Sequence, residues 1–390
     1  MITEPTSKYL SNTVQSIQPS GIRRFFDLAS SMENVISLGV GEPDFVTPWN
    51  VIEASYHSLE QGYTAYTANA GLFELRKEIS RYMKRRFGVA YSAEDEMVVT
   101  VGASQAIDLA LRAVLNPGEE VIVVEPSFVS YAPTVTLAGG VPVPVNTYSE
   151  DDFKLQPEQI EAAITDKTKV LMLCSPNNPT GTVLSKRDLE KIAEVVEKYD
   201  LLVISDEIYA ELTYDEPYTS FPAVKNMRNR TILISGFSKA FAMTGWRLGF
   251  ACGPKAILQA MLKIHQYTMM CAPTMAQHAA LEALVNGQKD VVKMKESYRQ
   301  RRSLVIHALE EMGLSCHVPG GAFYVFPSIE KTGLSSEEFA EQLLMKEQVA
   351  VVPGSVFGES GEGHVRCSYA TSVQKLEEAM RRIDRFLKTL

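Results

Sequence analysis

Cysteine is scarce in this chain of 390 residues, and the five that occur (Cys174, Cys252, Cys271, Cys316 and Cys367) are odd in number, far apart and never in a CxxC pair. That pattern excludes a disulfide framework and a thiolate zinc site, and predicts reduced thiols inside apolar runs. The six histidines form no HxxxH pair, so no metal is expected. Long hydrophobic runs are missing too. No stretch of about eighteen apolar residues is present to span a bilayer as a helix. The opening MITEPTSKYL carries neither a basic region nor an apolar core, so a secretory leader is not expected and a cytoplasmic address is. An excess of basic charge is the last absence. The formal net charge is -9, which argues against nucleic acid as a partner and for small molecules.

What remains is ordinary globular material, 45% hydrophobic and 22% charged, without internal repeat or low-complexity segment. The length exceeds what one core usually spans, which predicts two domains. From about residue 70 to 250, short apolar runs alternate with amphipathic stretches: MVVTV (97–101), VIVV (121–124), KVLMLC (169–174), LLVIS (201–205) and TILIS (231–235) read as buried strands. Between two of them, residues 184–200 place Leu189, Ile192, Ala193, Val196 and Tyr199 on one helical face, with Ser185 and Asp188 spaced as a helix cap. This βαβ alternation predicts an α/β fold with a mostly parallel sheet between helices. FYVFP (323–327), VAVVP (349–353) and HVRCSYA (364–370) are separated strands beside long helices, the last with a stripe of Leu376, Ala379, Met380, Ile383 and Leu387. They predict a smaller α+β domain. The expected division is a large domain over residues 46–284 and a small one from residues 1–45 and 285–390.

Ligands of open α/β sheets sit beyond the carboxyl ends of the strands. The residues there are GASQA (102–106), SPNNPTG (175–181), Asp206 with Tyr209, and GFSKAFAMTGWRLG (236–249). Lys239 follows a strand among small residues, where lowering its pKa suits it to Schiff-base chemistry with an aldehyde, and Arg247 keeps the region positive. Asp206 ends an apolar run, so it needs a cation such as a pyridinium nitrogen; an aspartate capping the next helix is the simpler alternative. GASQA opens a helix whose backbone N–H groups at Ala103 and Ser104, with the Ser104 hydroxyl, would face an anion. Many helices start this way without binding anything. SPNNPTG is a rigid turn that can aim an amide, or a plain loop.

SPNNPTG, SDEIYAEL, SGFSKAFAMTGWRLGFACGP, PGGAFYVFP and VRCSYAT, in this order, resemble the fold-type I, class I/II aminotransferases that depend on pyridoxal 5'-phosphate, nearest the prokaryotic aspartate, alanine and aromatic branch. SLGVGEPDF (37–45), YTANAGLFELR (66–76) and VVPGSVFG (351–358) extend the likeness over nearly the whole chain. The resemblance implies a seven-stranded large-domain sheet and a ping-pong transfer of the amino group of an L-amino acid to a 2-oxo acid such as 2-oxoglutarate. It makes Lys239 the cofactor lysine and acid/base, and pairs Asp206 with the ring nitrogen. Tyr209 and Asn178 would bond the ring 3-oxygen and Phe128 would stack on the ring. Ala103, Ser104, Arg247 and, as a substitute for a serine that is Gly236 here, Ser238 would hold the phosphate. Tyr66 would join them from the second subunit of a homodimer. Arg366 would clamp the substrate α-carboxylate beside Gly41 and Asn178. The partner-subunit arginine that aspartate enzymes offer to a side-chain carboxylate is not apparent, Gln266 standing near that place. Arg23, or its neighbour Arg24, in PSGIRRFFDL is the candidate to replace it, the alternative being solvated helix charges.

Three other classes fit less well. A nicotinamide dehydrogenase fails because GVGEPD (39–44) lacks the third glycine, and no P-loop is present. A regulator with an aminotransferase-like sensor would carry a long basic extension ahead of SLGVGEPDF. A carbon–sulfur lyase of the same fold is the nearest alternative, and the joint presence of VRCSYA and YTANAGL favours transamination.

Overall fold

The computed structural model describes residues 7–22 and 32–390. After a two-residue strand, β1 (Ile36–Ser37), the chain builds β2 (Met97–Thr100), β3 (Glu120–Glu125), β4 (Val141–Asn146), β5 (Thr168–Cys174), β6 (Leu202–Asp206), β7 (Thr231–Gly236) and β8 (Gly249–Cys252). These last seven form one sheet in the order β2-β8-β7-β6-β5-β3-β4. All neighbours are parallel except β8, which runs antiparallel to both β2 and β7. Five strands coincide with the apolar runs read from the sequence. The other two were not among them, because Pro142 and Pro144 interrupt β4 and β8 begins on a glycine after WRL.

Alternation along the strands gives the sheet two apolar faces. Val98, Val121, Val123, Val170, Met172, Ile204 and Ile232 pack under the helices Gly102–Val114, Tyr131–Leu137 and Lys255–Thr268. On the opposite face Val99, Leu233 and Phe250 meet the helices Phe73–Phe87 and Thr274–Asn286, while Ile122, Leu171, Leu173 and Val203 meet Lys186–Lys198. That last helix begins with the expected cap, Ser185 and Asp188 bonding each other's backbone N–H. Tyr199 departs from the expected face. It is the C-cap residue, and Val195 takes its place in the core.

The C-terminal part adds β9 (Tyr324–Val325), β10 (Val349–Ala350), β11 (Val352–Pro353) and β12 (Val365–Ser368). β11, β12 and β9 make a three-stranded antiparallel sheet, whereas β10 pairs in parallel with β1. VAVVP is therefore two strands, split between two partners. In the final helix, Val373–Leu387, Phe386 fills the core position expected of Leu387, which is half-buried. Leu38 lies in the same apolar cluster as Val351, Val365 and Ile383, so the segment after β1 packs with C-terminal residues. The cysteines are free, Cys252 and Cys367 buried and the other three half-buried.

Candidate active site

Strands β2, β5, β6 and β7 all deliver their C-terminal ends to one edge of the large sheet. β8 runs the other way, so its start reaches the same edge, which is how Arg247, two residues before β8, joins residues that follow the parallel strands. Here lies a cavity of about 700 Å³. Its walls include Gly41, Ala103, Ser104, Phe128, Asn178, Asp206, Tyr209, Ser238, Lys239, Arg247 and Arg366, so eleven of the residues singled out from the sequence share one space. Tyr66 is 78% exposed and lies outside the cavity of a single chain. Arg23 and Arg24 lie outside the described residues, while Ile22, which precedes them, lines the cavity.

Lys239 donates from Nζ to the Gly41 carbonyl oxygen at 2.6 Å. Burial drives its pKa down to about 8; Arg366 and Arg247 push the same way, and Glu42 and Asp206 oppose them. Asp206 shows the complementary effect. Burial raises its pKa, and only the Tyr131 hydroxyl at 2.7 Å, the Ile208 N–H at 3.1 Å and the charge of Lys239 offset the cost. Among the described residues its carboxylate lacks a hydrogen-bonded cation, the place a protonated ring nitrogen would fill.

At the start of the Gly102–Val114 helix, Gly102 has φ of +79°, and a Cβ there would come within 2.7 Å of Arg247 Nη2. Only glycine lets the guanidinium lie against this turn. Arg247 donates to the Thr244 carbonyl oxygen at 3.1 Å and has no acidic partner among the described residues. A cation held at the positive end of a helix is electrostatically adverse unless an anion sits between them, and a phosphate fits that requirement.

On the opposite wall, Arg366 is 3% exposed on β12. Nη1 donates to Asn178 Oδ1 at 2.8 Å and Nη2 to the Gly39 carbonyl oxygen at 2.7 Å, while Nε has no partner among the described residues. The SPNNPTG turn that carries Asn178 is closed by Asn177 N–H to the Thr182 oxygen and Gly181 N–H to the Asn177 oxygen, both at 2.9 Å. A buried guanidinium with neutral partners and a spare N–H can take up a carboxylate.

Two aromatic residues escaped the sequence reading. Tyr131 holds Asp206 from EPSFVSY, and Tyr324 bonds Tyr209, hydroxyl to hydroxyl, at 2.9 Å from PGGAFYVFP. Both sit in apolar company, where a tyrosine reads as core. The only signal was that a buried phenol must find a partner.

Residues 33–383 match the sequence profile of aminotransferase class I and II. The chain belongs to this family of transaminases, which depend on pyridoxal phosphate. Among its relatives, YugH of Bacillus subtilis (strain 168) is 65% identical over 98% of this chain and 99% of its own. The aspartate aminotransferase of Pyrococcus abyssi is 48% identical over 97% of this chain and 98% of its own. The crystal structure of an aromatic aminotransferase from Pyrococcus horikoshii OT3 superposes with a TM-score of 0.90 at 48% identity, covering 94% of this chain and 99% of that one. No helix among the described residues is long and apolar enough to cross a membrane.

Proposed function

We propose that the chain moves the amino group of an L-amino acid of the aspartate, alanine or aromatic type to a 2-oxo acid, 2-oxoglutarate among them, in two half-reactions at this cavity. The observation that carries this is Arg366: a buried cation with no carboxylate partner among the described residues, facing the same space as a lysine whose proton is loosened. Bound pyridoxal phosphate supplies a ring that takes up the charge left when the α-proton departs. Lys239 would hold the cofactor and move the proton at the substrate α-carbon. Asp206, steadied by Tyr131, would keep the ring nitrogen protonated. Tyr209 and Asn178 would bond the ring oxygen, and Phe128 would cover the ring face. Ala103, Ser104, Ser238 and Arg247 would hold the phosphate, and Arg366 would orient the α-carboxylate beside Gly41.

The reading includes a homodimer and a division into the two domains expected above. Tyr66 supports the first: it is exposed, as are Tyr63 (52%), Tyr267 (89%) and Met270 (44%), large apolar side chains of the kind a second copy covers. Full activity in a sedimenting monomer would exclude it. Arg23 and Arg24 stay our candidates for a side-chain carboxylate, because Ile22 reaches the cavity wall. The deciding experiment is a set of single half-reactions of the loaded enzyme with a panel of L-amino acids, read by the change in visible absorbance and by 2-oxo acid release. Aspartate, alanine or an aromatic amino acid is expected to react fastest; ammonia release without amino transfer would overturn the reading.

A further inference from the structure

Tyr324 belongs to neither end of the cavity and touches both. It lies on β9 opposite Ser368, which stands two residues along β12 from Arg366, and the guanidinium carbon of Arg366 sits 4.4 Å from the centre of its ring. Its hydroxyl meets that of Tyr209 at 2.9 Å. Gly41 passes so close that a Cβ there would lie 2.6 Å from the same oxygen. The side chain is 1% exposed, yet it lines the cavity.

Two phenols carry two protons, and the bond between them uses one. The pair therefore has one proton left to give, and what matters is which oxygen gives it. Burial raises the Tyr324 pKa, and Arg366 over the ring is the largest influence opposing that rise, so the cation favours Tyr324 as donor. A tyrosine that accepts a hydrogen bond is itself a better donor.

We propose that Tyr324 is a positioning residue that donates to Tyr209 and thereby commits the Tyr209 proton to the ring 3-oxygen, so that the arginine binding the substrate carboxylate also conditions the ring end. This rests on the reading of Tyr209 given above. A phenylalanine at 324 keeps the packing under Arg366 and removes only the donor.

The experiment is the pH midpoint of the visible absorbance of the pyridoxal-phosphate-loaded enzyme in Tyr324→Phe, Tyr209→Phe and the double variant. A proton given to the ring oxygen stabilises its anionic form and lowers the midpoint, so Tyr324→Phe is expected to raise it by roughly half a unit. Tyr209→Phe raises it further, and the double variant matches Tyr209→Phe alone because Tyr324 acts through Tyr209. Site-specific 3-fluorotyrosine at 324, a stronger donor of nearly the same shape, lowers the midpoint and covers the case in which Tyr324→Phe does not load. An unmoved midpoint in both 324 variants while Tyr209→Phe shifts overturns the inference and leaves Tyr209 in place. Additive shifts in the double variant also overturn it. If Tyr209→Phe moves nothing, the reading of Tyr209 falls and this inference with it.

Discussion

At the Lys239 end of the cavity the positive charge can be given up; at the Arg366 end it cannot. Lys239, reached from β7, has an amine that burial brings to a pKa of about 8, and it bonds a backbone oxygen that any substituent on the amine would displace. Arg366, on β12, is buried as well, but a guanidinium stays charged, and its neighbours Asn178 and the Gly39 carbonyl fix its plane. Burial thus has opposite uses in the two places. In the lysine it loosens a proton, and in the arginine it would strengthen a bond to any carboxylate by removing water from it.

The strongest way to break the contrast is to remove the mobile proton. Lys239→Ala should lower amino transfer by at least about 10²–10⁴-fold, the usual worth of a positioned acid or base, while thermal unfolding stays close to wild type. Steady-state turnover within tenfold of the original would show that Lys239 is not that group. A smaller loss is expected at the fixed charge. Arg366→Lys keeps the sign but not the planar fork, and kcat/KM should fall roughly 10–150-fold for every donor alike. Selective loss on one class of side chain would place Arg366 at the side-chain subsite instead. The smallest effect concerns the lysine's surroundings. In protein stripped of cofactor, labelling of Lys239 by an amine reagent should be half-maximal near pH 8, against about 10.4 for an ordinary lysine. The Glu42 carboxylate opposes the depression by favouring the ammonium form, so Glu42→Gln should move that midpoint lower still. Quantitative mass spectrometry across pH reads it, and an upward movement would contradict the electrostatic account.

The Lys239 end was also the more legible from sequence. Asp206 ends β6, Lys239 stands three residues after β7 and Asn178 four after β5, so polar residues there announce the sheet edge. Arg247 was found beside them although its strand direction was not, since nothing local distinguishes antiparallel β8 from its neighbours. Tyr131 and Tyr324 were hidden because their partners, Asp206 and Tyr209, lie 75 and 115 residues away in the chain. The split of VAVVP was hidden for a like reason: β10 turns to β1 and β11 to β12, a choice made by tertiary pairing rather than by local pattern.

The outer strand β4 bears on how the protein behaves when crowded. Val141 N–H bonds the Glu119 oxygen and Thr147 N–H the Glu125 oxygen, so along β4 the odd-numbered amides face β3 and the even-numbered ones face outward. Positions 142 and 144 are prolines, which have no N–H to present. This edge of the large sheet is thereby stripped of two of its donors, which weakens any ladder a stray strand could form there. The same two prolines that kept β4 out of the strands read from the sequence leave this edge poorly suited to pairing with another chain.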